Sequence, residues 1–503
     1  MPDLRGRNFL LWPDVSRREE NWLERWSPGH CLHFEVQLIP IEANYLTTAA
    51  TASSAIENLI GPVIMVRSIL KFLLSRINHP TIQRGLIFSF IAIGCLLRFV
   101  WAEDMEWKSD EIWMFEQARS VVLGQTSLPR IGMANSAGFV NPGMSLWVFI
   151  PLAFSPDPLH MVRWVMALNS GAIAAFVGFV LWHIPQKQQL TWLWGLAIAS
   201  VNPIAILFSR KIWAQNILPP FCFLLFLGHQ FRHRIWGAAL WGLVGTIVGQ
   251  IHMSGFFFQP ILVGWTLWKE RDRTRLSDRP SNTRSPTRTH WLSFTVASGL
   301  GFIPMLPWIK VLSENSINYG SGTARNFVPE FYLQWLTTGW GLNLEHQLDR
   351  VFWQVFLAEP RILGVSTYGM AVAHLFLGVS ALYTLGRWVI SKADRQQVRS
   401  VTGYDALRFY FTASAIGMGL FLTGIGQRVP VYYLTVLFPF PYVWVVVMCK
   451  SNPKWLSAIA ATQLAISLTF LVFIHQQGGI PDGKYGTAYH LQRKSPPNAD
   501  RMN

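Results

Sequence analysis

The sequence predicts an all-α, polytopic membrane protein: a transmembrane helical bundle of about eleven spans, with further helices lying on one membrane surface. Three observations predict it. Hydrophobic residues make up 51% of the 503-residue chain and charged residues only 14%, against about 25% charged in an ordinary soluble domain. The charges gather in short patches between long apolar runs, as membrane proteins distribute them. When those runs are threaded in turn, the Lys and Arg patches all fall on one side of the bundle.

From the N-terminus, residues 1–64 are mixed and mostly polar, with no sustained apolar run and no signal-peptide pattern. Met65 opens the basic stretch Val66-Arg67-Ser68-Ile69-Leu70-Lys71. Residues 1–64 therefore read as an N-terminal extension ahead of a native start; the alternative is a genuine accessory segment. The transmembrane domain covers 65–475, and 476–503 form a tail. Apolarity and length place spans near 85–101, 160–182, 190–207, 213–229, 235–251, 254–268, 291–312, 364–388, 406–425, 430–449 and 455–475.

The basic patches set the direction. Lys71, Arg76 and Arg84 precede the first span, and Arg232 and Arg234 share a short loop. Seven cations from Lys269 to Arg288 fill the Ser/Thr/Arg/Pro-rich linker around 271–289. Arg387 to Arg408 and Lys450 with Lys454 complete the set. This face is assigned to the cytoplasm. The opposite, extracytoplasmic face receives the loops 102–159 and 313–363 and the tail. Loop 102–159 opens on Glu103, Asp104, Glu106, Asp110, Glu111 and Glu116. Ile112, Phe115, Ala118 and Val122 recur at helical spacing, and Met144–Phe154 is an apolar run too short to span. Both predict helices along the membrane surface. The net charge of +15 sits at the ends of apolar runs, which suits an anionic leaflet and argues against a nucleic-acid partner. The four cysteines, Cys31, Cys95, Cys222 and Cys449, show no zinc spacing.

Candidate chemistry starts at Trp107-Lys108-Ser109-Asp110-Glu111. Ser109 or Asp110 could simply cap the helix that follows. Alternatively, adjacent carboxylates in a partly desolvated place raise each other's cost of ionisation, and one could serve as a general base. Arg210, Lys211 and Arg428 lie on the face where cations are scarce. They read either as side chains reaching lipid headgroups or as a binding site for phosphate. His252, in a short outer turn, is a weaker candidate donor to substrate oxygens. Trp335 and Trp340 could stack on a sugar or anchor a surface helix.

An Asp-Glu pair just after the first span, heading a surface helix, resembles the GT-C membrane glycosyltransferases, in particular the protein O-mannosyltransferase and aminoarabinose-transferase branch with its bacterial relatives. Further matches follow in order: Asn141-Pro142-Gly143-Met144, Arg163, Asn202-Pro203, Ser209-Arg210-Lys211, Gln250-Ile251-His252, Tyr432-Tyr433 with Pro439, and Gly483-Lys484-Tyr485-Gly486. The resemblance covers roughly residue 85 to the end. It lacks the large lumenal insert of the eukaryotic mannosyltransferases.

The resemblance implies an inverting glycosyltransferase that moves a sugar from a polyprenyl-phosphate donor to a hydroxyl on a lipid, glycan or protein. Asp110 would be the base, Glu111 its supporting partner, and Arg210, Lys211 and Arg428 the contacts to the carrier phosphate. A lipid-linked donor fits the topology, because nucleotide sugars are made in the cytosol. No cofactor is implied, although a divalent cation at Asp110 and Glu111 stays open. The expected location is the plasma or inner membrane, with the site extracytoplasmic. Two alternatives come from other classes: a transporter or flippase of lipid-linked saccharides, and a non-catalytic assembly subunit. The sequence shows neither inverted repeats nor midplane charges, which transporters often carry.

Overall fold

A backbone in lipid must satisfy its own hydrogen bonds, and the apolar runs do so as helices. The computed structural model describes residues 79–134, 140–277, 288–314, 327–391, 405–426, 428–481 and 483–494. The expectations for 1–64, for the middle of the basic linker and for much of the basic loop near 392–404 lie outside these residues.

The first half of the chain forms α1 (Pro80–Leu97), α2 (Ser109–Val122), α3 (Pro158–His183), α4 (Gln186–Val201), α5 (Leu218–Gln230), α6 (Ile235–Ile251) and α7 (Ser254–Ser277). The second forms α8 (Trp291–Glu314), α9 (Glu330–Trp340), α10 (Gly369–Ile390), α11 (Ala406–Gly424), α12 (Phe440–Met448), α13 (Pro453–Gln477) and α14 (Tyr489–Lys494). Among the described residues, three small antiparallel hairpins interrupt the helices: β1 (Ile131–Ala134) with β2 (Val140–Pro142), β3 (Arg361–Ile362) with β4 (Val365–Ser366), and β5 (Gly479–Ile480) with β6 (Gly486–Thr487). The chain is thus an all-α integral membrane protein with minor hairpins in its loops.

All eleven expected intervals contain helix, but the count of full spans is lower. Among the described residues, six helices are long and apolar enough to cross a bilayer: α1, α3, α8, α10, α11 and α13. A seventh is reached if the 3₁₀ turn Val431–Leu437 and α12, bent by 87° at their junction, count as one broken span. The reasons are local. The run at 190–207 is split at Asn202-Pro203, where the Asn202 side chain caps a separate short helix, Pro203–Phe208. Its first part, α4, opens on the polar residues Gln186, Lys187, Gln188 and Gln189. α5 has 13 residues and α6 has 17, about 20 and 26 Å at ~1.5 Å per residue, short of a hydrocarbon core of about 30 Å.

α4 lies at the centre, with every residue from Thr191 to Val201 buried. Small residues let its neighbours approach, as in membrane bundles generally. A Cβ on Gly94 of α1 would sit 2.4 Å from the Ser200 backbone, and one on Gly195 would sit 2.5 Å from Val443 of α12.

Side-chain contacts sort the loops into two ends. At one end Arg232 pairs with Glu270 (3.6 Å), Thr289 Oγ1 donates to Glu270 (2.6 Å), and the His290 N–H donates to the Arg232 carbonyl (2.9 Å). Two of the basic loops therefore share an end. At the other end, the last turn of α13 meets the first loop, where His475 Nδ1 lies 2.7 Å from Asp104. His252, at the far end of α6 from Arg234, belongs to that second end too.

Candidate active site

The first loop leaves α1 through a left-handed residue, Trp101 (φ +47°), and reaches α2 at Ser109. α2 forms as its spacing predicts, burying Met114, Phe115 and Ala118. Its N-cap position is Lys108, and no side chain caps the helix. Neither Ser109 nor Asp110 therefore serves as the cap. Asp110 stands in the first turn, where a negative charge still suits the helix dipole.

Three carboxylates crowd this turn. Glu106 and Glu111 are fully buried, and Asp110 is half-buried. Glu106 is held by two ammonium groups, Lys108 at 2.5 Å and Lys211. Lys211 is itself buried, donates to Gln347 Oε1 at 2.9 Å, and lies 4.7 Å from the Trp213 ring centre. Glu111 has no hydrogen-bond donor on either carboxyl oxygen among the described residues. Burial, with the Glu106 charge adding, pushes its carboxyl well above the ordinary range. Burial also raises the Asp110 carboxyl; Lys108 opposes this, Glu106 adds to it, and Lys211 and a hydrogen bond from Ser109 oppose it. The two neighbours thus differ. Glu111 is driven towards a neutral acid, while Asp110 remains the more accessible carboxylate.

Opposite Asp110 stands an aromatic group. Asp110 lies within electrostatic reach of the Tyr432 hydroxyl. The Tyr432 ring meets Trp213 (6.3 Å between centres), His252 (5.8 Å) and Tyr433 (5.6 Å). His252 Nδ1 accepts from the Ser254 backbone N–H (3.3 Å) and lies 2.7 Å from the Ser254 hydroxyl. Its ring proton therefore resides on Nε2. Burial pushes the imidazole down to about 4, so His252 is neutral at pH 7.

The expected cations separate into three fates. Arg210 is buried and donates to the carbonyls of Val100 (2.5 Å), Trp101 (2.5 Å), Arg98 (3.4 Å) and Leu97 (3.5 Å). These carbonyls belong to the end of α1 and to the turn that follows it, so the buried guanidinium is occupied by backbone there. Lys211 is neutralised by Glu106. Arg428 is exposed. Trp335 and Trp340 are both buried in the bundle, so neither stacks on a ligand at the surface nor anchors a surface helix.

The tail fixes the first loop from behind. Tyr485, fully buried, donates to the Asp104 carbonyl, and Lys108 donates to the Lys484 carbonyl. Glu106 forms a backbone bridge with Ala488, and Gln492 donates to the Trp107 carbonyl at 2.6 Å. Asp104 lies between His475 (2.7 Å) and His490 (2.8 Å). Glu106, Asp104 and these two histidines carried no role in the sequence. The acidic run 103–111 was visible, but the pairing of one acid with a lysine 105 positions away was not. Among the described residues no group of three His, Cys, Asp or Glu is placed to hold a metal ion.

No protein-family model and no curated protein matches the chain. Among solved structures, the chain is similar to the apo form of an oligosaccharyltransferase from Archaeoglobus fulgidus, at 13% identity and a TM-score of 0.37, over 83% of this chain and 58% of that one. The chain thus spans less than two thirds of that protein, and so distant a likeness assigns it no function.

Proposed function

We propose that the protein is a membrane glycosyltransferase that moves a sugar from a polyprenyl-phosphate carrier to a hydroxyl acceptor, with Asp110 as general base. The observation that carries this is the contrast between Asp110 and Glu111. One acid is buried, and its carboxyl is pushed well above the ordinary range. The next is half-buried, caps no helix, is raised above the ordinary range, and lies within electrostatic reach of Tyr432, whose ring meets Trp213 and His252. A general base works best with a pKa brought nearer to the operating pH, and aromatic faces suit the apolar side of a sugar ring.

The proposed step balances simply. The acceptor oxygen bonds to the anomeric carbon, its proton passes to Asp110, and the bond from that carbon to the carrier phosphate breaks, its electron pair leaving with the phosphate. Single displacement inverts the anomeric centre. Arg428, exposed at the same end, is the cation proposed for the leaving phosphate. Lys211 acts indirectly, by holding Glu106 and setting the field at Asp110. Neutral His252 would offer its Nε2 proton to a substrate oxygen.

The test is sugar transfer in nanodiscs from a panel of polyprenyl-phosphate sugars to hydroxyl acceptors, with donor binding measured in parallel. Transfer by the wild type, and its loss in Asp110→Asn with donor binding kept, is the expected result. Carriage of lipid-linked sugar across a vesicle membrane without any transfer would establish the transporter reading instead.

A further inference from the structure

The interior of the bundle holds a small polar cavity of about 40 Å³. Arg98, just past α1, lines it together with Asn169 of α3, Asn216, Thr338 of α9, Thr435 and Tyr442 of α12. Among the described residues no carboxylate lines it. The cavity lies at the 87° bend between the 3₁₀ turn Val431–Leu437 and α12. Non-helical backbone at membrane depth is tolerated where it is buried in protein or borders a polar cavity.

Arg98 is 2% exposed. Its Nη1 donates to the carbonyls of Gly94 (2.6 Å) and Ser200 (2.8 Å), and its Nη2 to that of Ala199 (3.5 Å). These bonds use three of the five N–H groups of a guanidinium, and Nε has no acceptor among the described residues. Carbonyls take hydrogen bonds but bring no net charge. Two other buried cations differ in this respect: Lys211 is paired with Glu106, and Arg210 has Asp104 and Glu103 within electrostatic reach. The groups in such reach of Arg98 are the Cys95 thiol and the Tyr442 phenol. An arginine keeps its proton in a protein, so one positive charge stands unmatched in the interior, where a lone charge is costly.

Two further features of the cavity favour a negative guest. Asn216 is 1% exposed, and neither atom of its side-chain amide has a hydrogen bond among the described residues. The first turn of α12 borders the cavity through Tyr442, and a helix N-terminus carries partial positive charge. Size then selects the guest. One water needs about 10–15 Å³ of such space, so a cavity of about 40 Å³ takes roughly three water-sized atoms. Phosphate, free or on a lipid carrier, is larger than that. A single halide with a water beside it fits.

We infer that this cavity binds a small monovalent anion, chloride in ordinary media, held by the Arg98 guanidinium, the Asn216 amide and the Tyr442 hydroxyl at the start of α12. The anion neutralises Arg98 and so secures the junction that Arg98 makes between the end of α1 and the Ser200 and Ala199 carbonyls of α4.

The experiment uses the full-length protein in detergent and reads its thermal melt, so its failure would leave the proposed reaction untouched. Chloride, bromide and inorganic phosphate are titrated in turn into a halide-free gluconate buffer held at constant ionic strength. Chloride and bromide should each raise the melt along a saturating curve, as a ligand of the folded state does, and phosphate should not. Arg98→Gln should lose the halide response, because no charge is left to neutralise. Asn216→Asp puts a carboxylate in the cavity as a built-in counter-charge. It should lose the halide response too, with a melt in halide-free buffer no lower than that of wild type in the same buffer. This second variant decides the matter if Arg98→Gln does not fold. Equal wild-type melts in gluconate and in chloride would overturn the site, as would a full halide response in Asn216→Asp. A phosphate response as large as that to chloride would put the anions on the protein surface and overturn it as well.

Discussion

Replacing Asp110 by Asn removes a proton acceptor and little else. The helix N-terminus loses no cap, because no side chain caps α2, and gives up only a favourable charge near its dipole. Asn has nearly the same volume and can still meet Ser109. Its neutral amide also avoids the desolvation that raises the Asp110 carboxyl. The sign of the stability effect follows. A carboxyl whose folded pKa lies above its unfolded value binds more protons when folded, so wild-type stability falls as pH rises through that interval. Asp110→Asn should therefore be at least as stable as wild type at pH 7, and the difference should vanish below the ordinary carboxylate range. Turnover should behave oppositely. Loss of general-base assistance costs about 10²–10⁴-fold, or about 3–5 kcal/mol of barrier at 1.36 kcal/mol per decade. In wild type the acidic limb of kcat/KM should lie above the usual carboxylate range, and in the variant that limb should disappear. The assay is transfer from a lipid-linked donor across a pH series, beside a thermal melt and a donor-binding isotherm. Wild-type turnover with an unmoved acidic limb would refute the base assignment, and a collapsed melt would refute the claim that Asp110 has no structural task.

Four further outcomes are expected. Glu111→Gln should keep most activity and gain stability over wild type as pH rises through the window above the ordinary carboxylate value, because burial, with the Glu106 charge adding, pushes the Glu111 carboxyl well above that value; pH-dependent melts check it. Lys211→Met leaves Glu106 buried beside one remaining lysine and should cost about 3–5 kcal/mol, with much of the loss recovered in Lys211→Met/Glu106→Gln; melts of the single and double variants test the pairing. Arg428→Ala should weaken donor use by roughly 10- to 150-fold, the loss of one charge-assisted hydrogen bond, whereas Arg210→Met should lower the melt by uncovering the carbonyls around the end of α1 without a selective effect on donor binding. In intact cells an impermeant thiol reagent should label a cysteine placed at Ser109 and not one placed at Arg234, and equal labelling of both would remove the common side on which the site depends.

Much of the fold was legible because burial in lipid leaves a coarse signal. Each expected interval contains helix, and α2 buries the face its spacing announced through Phe115 and Ala118. What escaped was whether a helix crosses. A run of apolar residues reads the same whether it is a straight span, a helix broken at Asn202-Pro203, or a bent pair such as Val431–Leu437 with α12. Hydropathy measures the environment of side chains, while crossing also depends on where proline and asparagine stop the helix. The short hairpins escaped for a related reason: two-residue strands such as β5 and β6 are too brief to show alternation.

For the candidate site, the grouping of residues was legible and their electrostatics less so. Asp110, Glu111, Lys211 and His252 gather at one end of the bundle, yet their charges are arranged by partners remote in sequence. A cation on the face where cations are scarce suggested a ligand for Arg210 and Lys211 alike. The sequence could not show that Arg210 covers carbonyls left open by α1, nor that Lys211 answers an acid in the first loop. Burial decides between the two meanings of such a cation. An arginine or lysine taken out of water must be compensated within the protein, and Arg210 and Lys211, each about 1% exposed, have found that compensation. Arg428, by contrast, is exposed. The same reasoning separates the acids: Glu106 is spent on lysines, burial pushes the Glu111 carboxyl well up, and half-buried Asp110 is the carboxylate that the proposed reaction uses.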